Sequence, residues 1–314
     1  MPSASIVDHG LLGGGNDAGL ATFRGTEGAY MLPHHVKEIE RLNRQHRFMS
    51  STTEGVLIAA PLGDSDPVRV LDAGCADGTW LRDLTRQFPS KQLSLHGIDI
   101  GSTLFPPSDA RLPALDLRQH DLTEPISGSW HWDSSFDVIH QRLLIWGLKT
   151  TQWPIVLRNH LAILKPGGYL QLVEAEWIDP ATRHLQSPLL QKQAHLQEWS
   201  TLQFGMDINI AFKLEDLLRE VGFVDVNTVQ FQHGYGAKAK DKTQGNVSAE
   251  LWVECFRTLD SKIGVGSNLA EEGIPNVAKD AAEFHAFLDD LEKEIKDNGY
   301  QPKLNMVYGR RPLD

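Results

Sequence analysis

Hydrophobic and polar positions change rhythm several times along the chain. Val36, Ile39, Leu42 and Phe48 recur at helical spacing after Pro33, which predicts a helix ending near Gly55. Pro61 to Pro67 breaks that pattern. Val68-Arg69-Val70-Leu71-Asp72 is then a short β-branched run of the kind buried on both faces of a parallel sheet. It leads through Ala73-Gly74-Cys75-Ala76-Asp77-Gly78 into a helix over Thr79–Gln87. Further strands are predicted at Leu93–Asp99, Leu115–Asp121, Phe136–His140 and Tyr169–Glu174. A helix over Trp153–Leu164 and a Lys165-Pro166-Gly167-Gly168 turn precede the last of these. Strands alternating with helices form βαβ units, so an α/β fold on a parallel sheet is expected.

Beyond Trp177 the rhythm loosens. Helices are predicted over Pro188–Gly205, Leu214–Val221, Ala249–Ile263 and Asn276–Asp297, with Gly222 closing the second. Phe223–Phe231 and Leu304–Tyr308 read as strands, and Ala237–Gly245 as a polar loop. The expected organisation is a flexible lead-in over residues 1–20 and one domain over 21–314. Within that domain a cap helix covers 34–55, the core covers 68–177, and a helical lid with the C-terminal strands covers 178–314.

Composition narrows the function. The 314 residues, 41% hydrophobic and 23% charged, are enough for one large α/β domain with a full core. A net charge of -11 with no dense Lys/Arg run argues against nucleic acid as partner and favours a small-molecule substrate. Cys75 and Cys255 lie far apart, which excludes a disulfide framework and suits a reducing compartment. Met1–Gly19 has no apolar core of a secretory signal, and nothing approaches the ~18 apolar residues of a membrane span. A cytoplasmic or nuclear protein, with no membrane partner, is expected. His184 and His195 match no standard ligand spacing, so no metal is expected.

The strongest chemical signal is the loop after the first strand. Gly74 and Gly78 lack the Cβ that would keep a ligand from the backbone, at the strand edge where open α/β folds bind. A dinucleotide fingerprint wants glycine at the first, third and sixth positions, but Ala76 and Thr79 occupy the latter two. Asp72, two residues before Gly74, instead suits a cationic ligand and would repel a pyrophosphate. Asp99, beside Ile100, ends the second strand, where an acid accepts from ribose hydroxyls. Asp121 follows at the third, positioned to accept from an adenine amino group while Leu122 packs on the ring. Acids at three successive strand ends make a binding-site pattern.

Val70-Leu71-Asp72-Ala73-Gly74-Cys75-Ala76-Asp77-Gly78 resembles motif I of class I S-adenosylmethionine (SAM)-dependent methyltransferases, with Ala76 in place of its central glycine. Leu164-Lys165-Pro166-Gly167-Gly168-Tyr169-Leu170 resembles the turn into strand five of the same superfamily. Tyr30-Met31-Leu32-Pro33, Glu40-Arg41-Leu42-x-x-Gln45-His46, Phe136–Arg142, Glu174 and Leu217-Leu218-x-x-Val221-Gly222-Phe223 resemble the fungal LaeA-like group. His34-His35 departs from that group, which commonly carries acids there. The resemblance implies a Rossmann-like, seven-stranded, mostly parallel sheet with helices on both faces, its last strand antiparallel. It also places the methionine end of the SAM cofactor near Gly74, His140 and Tyr30.

Methyl transfer needs a close, aligned, dry encounter, and a general base only for a nucleophile whose proton has a high pKa. His140 is the first candidate base, against a structural histidine at a strand end; Glu174 is the second, against a substrate-orienting or ion-pairing role. Trp146, Trp177 and Met206, with Trp80 and Trp199 nearby in sequence, are candidates for an acceptor wall, against plain core packing. The leading expectation is methylation of a small, secondary-metabolite-like acceptor. The alternatives are a LaeA-like regulator that keeps the fold, and a fold relative that catalyses cyclisation or rearrangement without methyl transfer.

Overall fold

Six residues, Val68–Ala73, form the central strand β1 of a computed structural model that describes residues 36–107, 115–263 and 273–314. Alternate β1 side chains face opposite layers. Val68 and Val70 pack with Leu81 and Leu84 on one side, while Leu71 and Ala73 join Ile139, Trp153 and Leu157 on the other. Burial on both faces is why β1 reads as an almost continuous apolar run.

Around it lie β2 (Leu93–Asp99), β3 (Leu115–Gln119), β4 (Phe136–Arg142), β5 (Leu164–Glu176), β6 (Val224–Gln232) and β7 (Lys303–Arg310). The spatial order is β3-β2-β1-β4-β5-β7-β6. β1 to β5 pair in parallel, and β7 runs antiparallel between β5 and β6. The chain is thus a Rossmann-like α/β protein with a seven-stranded sheet. The order reverses between β1 and β4, so their carboxyl ends open a crevice at the switch point.

Helices α1 (Val36–Thr52), α2 (Thr79–Gln87), α3 (Trp153–Ile163), α4 (Pro188–Gln203), α5 (Leu214–Val221), α6 (Gly245–Ile263) and α7 (Ala281–Asn298) complete the described elements. α2 buries Trp80, Leu81 and Leu84, a one-turn stripe. α7 buries Phe284, Phe287, Leu288, Leu291 and Ile295, and packs against α4 and α6. Its start is later than the sequence predicts, because Asp280 accepts from the Glu283 amide as an N-cap at 2.8 Å and Asn276 sits in a left-handed turn. β3 stops at Gln119, leaving Asp121 in the following turn. β5 begins at Leu164, so the Lys-Pro-Gly-Gly segment lies inside the strand. Lys165 there reaches both carboxylate oxygens of Asp137 at 2.8 Å. Among the described residues no helix is long and apolar enough to cross a membrane.

Candidate active site

The chain leaves β1 through three left-handed residues, Gly74 (φ +80°), Ala76 (φ +48°) and Gly78 (φ +78°). A Cβ on Gly74 would come within 3.1 Å of the Leu144 side chain, and the left-handed backbone there favours glycine. The Gly74 and Cys75 amides donate to the Ile98 carbonyl at 2.8 and 3.0 Å, and the Ala76 amide donates to Asp99 Oδ2 at 2.9 Å. The end of β2 therefore holds the turn after β1. Gly78 caps the start of α2 and faces Leu115 and Leu117.

A cavity of about 1720 Å³, its mouth included, opens over these strand ends. One end is lined by Asp72, Gly74, Asp99, Ile100, Asp121 and Leu122, the other by Phe48, Trp146, Trp177, Tyr235 and Trp252. Eight sequence-predicted site residues thus share one cavity. Gly78, His140, Glu174 and Met206 are not on its wall, and Tyr30 and His34-His35 fall outside the described residues.

His140 stands behind the wall. Its ring stacks on Trp80 with centroids 3.8 Å apart and planes 5° from parallel, and its Nδ1 lies 2.8 Å from Asp72 Oδ1. Burial lowers the imidazole pKa against the opposing pull of Asp72, so the ring is neutral and Nδ1–H is the donor. The Nδ1 contact fixes the Asp72 carboxylate from behind the cavity wall. Glu174 is also buried; its Oε1 accepts from the Leu144 amide at 2.6 Å. Burial pushes this carboxyl up to about 8, against the pull of the Leu144 and Ile145 amides. Glu174 holds the turn after β4, where Leu143 has φ +53°, and so sets the Leu144 side chain against Gly74. Met206 is buried in the main core, and Trp199 packs against it.

Helix α1 supplies a charged wall that the sequence reading missed. Glu38 and Arg41 are nearly buried and form a two-pronged pair, with contacts of 2.8 and 2.5 Å. His46 Nε2 donates to Asp83 at 2.8 Å, and its Nδ1 accepts from Arg142 Nη1 at 3.2 Å. Burial first, and Arg142 second, pull that imidazole down to about 4. Glu38, Arg41 and Gln45 lie three and four residues apart, a spacing that puts one polar stripe on the cavity side of α1. That stripe was the available signal.

The aromatic end is built from distant segments. Trp177, at the end of β5, stacks on Trp252 of α6 at 4.5 Å, and Phe48 of α1 meets Tyr235 at 4.8 Å. Trp252 Nε1 donates to Gln193 at 2.9 Å. Tyr235 Oη and Thr52 Oγ1 flank the His233 ring at 2.8 and 2.9 Å. Burial holds His233 down to about 3, so it serves as a neutral spacer. Tyr235 and Trp252 had no sequence signal, because ordinary helix and loop patterning surrounds them.

The doubly wound sheet thus carries a crevice that is acidic at one end and aromatic at the other. Residues 41–228 match the model of a methyltransferase domain, and the chain belongs to that family of SAM-dependent enzymes. N-methyltransferase tcpN of Claviceps purpurea is 28% identical over 88% of this chain and 95% of its own. N-methyltransferase sirN of Leptosphaeria maculans is 28% identical over 91% and 96%. Secondary metabolism regulator laeA of Gibberella zeae is 29% identical over 74% and 73%.

Proposed function

We propose that this enzyme methylates a nitrogen of a small, uncharged, largely apolar secondary metabolite. The observation that carries the reading is one cavity joining the Asp72–Gly74 edge to the Trp146–Trp177–Trp252 chamber. Bound SAM supplies an electrophilic methyl group on a sulfonium, which becomes a neutral thioether on transfer. The residues fit that cofactor: Gly74 leaves room against Leu144, and carboxylates stand at the ends of β1, β2 and beyond β3. Asp72 would hold the ammonium, Asp99 would accept from the ribose hydroxyls, and Asp121 would accept from the adenine amino group. Ile100 and Leu122 would pack against the adenine. His140 is a positioning residue that fixes Asp72, and Glu174 is one that fixes the Leu143–Ile145 turn.

On the acceptor side the wall orients and dries. A neutral amine attacks with its lone pair and sheds its proton after the C–N bond forms, so no strong base is required of the wall. Alignment and exclusion of water then carry the rate, and packed rings provide both. The nitrogen assignment follows the relatives tcpN and sirN, both named as N-methyltransferases. The laeA relative favours a second reading, a regulator that retains the cofactor site.

Calorimetric titration with SAM and S-adenosylhomocysteine, followed by label transfer from methyl-labelled SAM to a panel of amines, amides and phenols, tests both. Binding with transfer to nitrogen supports the enzyme reading. Binding with no transfer to any acceptor supports the regulator, and transfer only to oxygen overturns the nitrogen assignment.

A further inference from the structure

Arg142 is the last residue of β4, partly buried, and its side chain lines the cavity between the Asp72 edge and α1. Among the described residues its guanidinium makes a single hydrogen bond, from Nη1 to the neutral His46 imidazole at 3.2 Å. It forms no ion pair among the described residues, and none of its nitrogens is sealed off from the cavity without a partner. A guanidinium has five N–H donors, and taking it partly out of water without a carboxylate is costly. Burial accordingly depresses this group, and the field of Asp72 acts in the opposite direction. Asp72 and Arg142 therefore sense each other across the cavity floor without touching.

His46 is itself held from behind, by Asp83 on α2. The series Asp83, His46, Arg142 fixes the fork's position while leaving its other donors unspent. Arg41, the other arginine of this wall, is already engaged two-pronged by Glu38. Arg142 is the cation with spare capacity.

We propose that Arg142 is an anion subsite for a carboxylate, and that it takes the α-carboxylate of the cofactor's amino-acid end while Asp72 takes the neighbouring ammonium. An α-amino acid carries both charged groups on one carbon, and this floor offers one group of each opposite sign at an unbridged spacing. The inference rests on the SAM-binding reading above. A carboxylate on the methyl acceptor is the other source of the same chemistry.

The test titrates wild type, Arg142→Met and Arg142→Lys with S-adenosylhomocysteine and with 5′-methylthioadenosine, which keeps the adenosine thioether and lacks the amino-acid end. Arg142→Met is expected to weaken S-adenosylhomocysteine roughly 10- to 100-fold, the range of a charged hydrogen bond, and to leave 5′-methylthioadenosine within about threefold. Arg142→Lys should fall between, because an ammonium keeps the charge and loses the fork. Equal losses for both ligands would mean that Arg142 shapes the site instead of binding carboxylate, and overturn the proposal. Unchanged S-adenosylhomocysteine affinity, with a raised KM for a carboxylate-bearing acceptor, would reassign the subsite to the acceptor and overturn the cofactor assignment. A wild type that binds neither ligand overturns the SAM reading as well; binding by wild type that is unaffected in the variants overturns this inference alone.

Discussion

Single residues in this site do less chemistry than their types invite and more positioning. Glu174 shows it most plainly. Its carboxyl is raised from 4.5 to about 8 by burial, so the folded protein holds a proton there that the unfolded chain has lost. A raised folded pKa contributes stability that is fully present below the unfolded value and lost as pH climbs to the folded one. Stability should therefore decline between about pH 4.5 and 8 through this group, at up to about 1.4 kcal/mol per unit. Glu174→Gln keeps the Leu144 amide's acceptor and cannot ionise. Denaturant titrations at pH 5 and 8 should show a smaller fall for the variant than for wild type. Parallel curves would mean that Glu174 is ionised in the folded state.

The elements were legible where one physical signal dominated. α2 emerged with matching bounds and β1 one residue longer than expected, because a β-branched run, glycine at left-handed positions and an apolar stripe agree with one another. That Asp72, Asp99 and Asp121 would share one cavity was likewise readable from acids recurring at or just past successive parallel strands. The chamber was readable only in part, through Trp146 and Trp177. Trp252, Tyr235 and Arg142 acquire meaning only when α6, the segment after β6, and the end of β4 meet, and local pattern does not encode that meeting. Met206 carried the opposite lesson, since a residue near aromatic neighbours in sequence packs in the core instead. α1 sits between these cases: its helix was foreseen and its charged wall was not.

That wall yields an element-scale prediction. α1 is tied to α2 by His46 on Asp83 at 2.8 Å and by Thr79 Oγ1 donating to Asn43 at 2.7 Å. Asp83→Ala removes one tie without altering a cavity-lining side chain. Amide exchange across α1 should quicken, and S-adenosylhomocysteine affinity should drop several-fold, in line with a loss of about 1 kcal/mol. Faster exchange with unchanged affinity would mean that the position of α1 is irrelevant to the bound cofactor.

At the scale of the whole molecule, the cavity is where the chain's distant segments are joined. Glu38 comes from α1, Asp72 from β1, Trp177 from the edge beyond β5 and Trp252 from α6. A ligand there contacts layers that the sheet alone does not bind together, so its binding energy should appear as global stability. S-adenosylhomocysteine at a hundred times its Kd should add about 2.7 kcal/mol, raising Tm by roughly 4 °C for a chain of this size. Asp99→Ala separates binding from scaffolding. Asp99 accepts from the Ala76 amide at 2.9 Å and the Gly101 amide at 3.1 Å, so the variant's ligand-free Tm should also fall. The informative quantity is therefore the increment on adding ligand. Losing a charged acceptor weakens affinity roughly 10- to 100-fold, which at the same ligand concentration leaves about half the increment or less. A variant whose starting Tm is lower but whose increment equals the wild type's would make Asp99 a support of the turn with no share in the cofactor. A shrunken increment would place the ribose at the end of β2, one strand over from the β1–β4 switch point where the crevice opens.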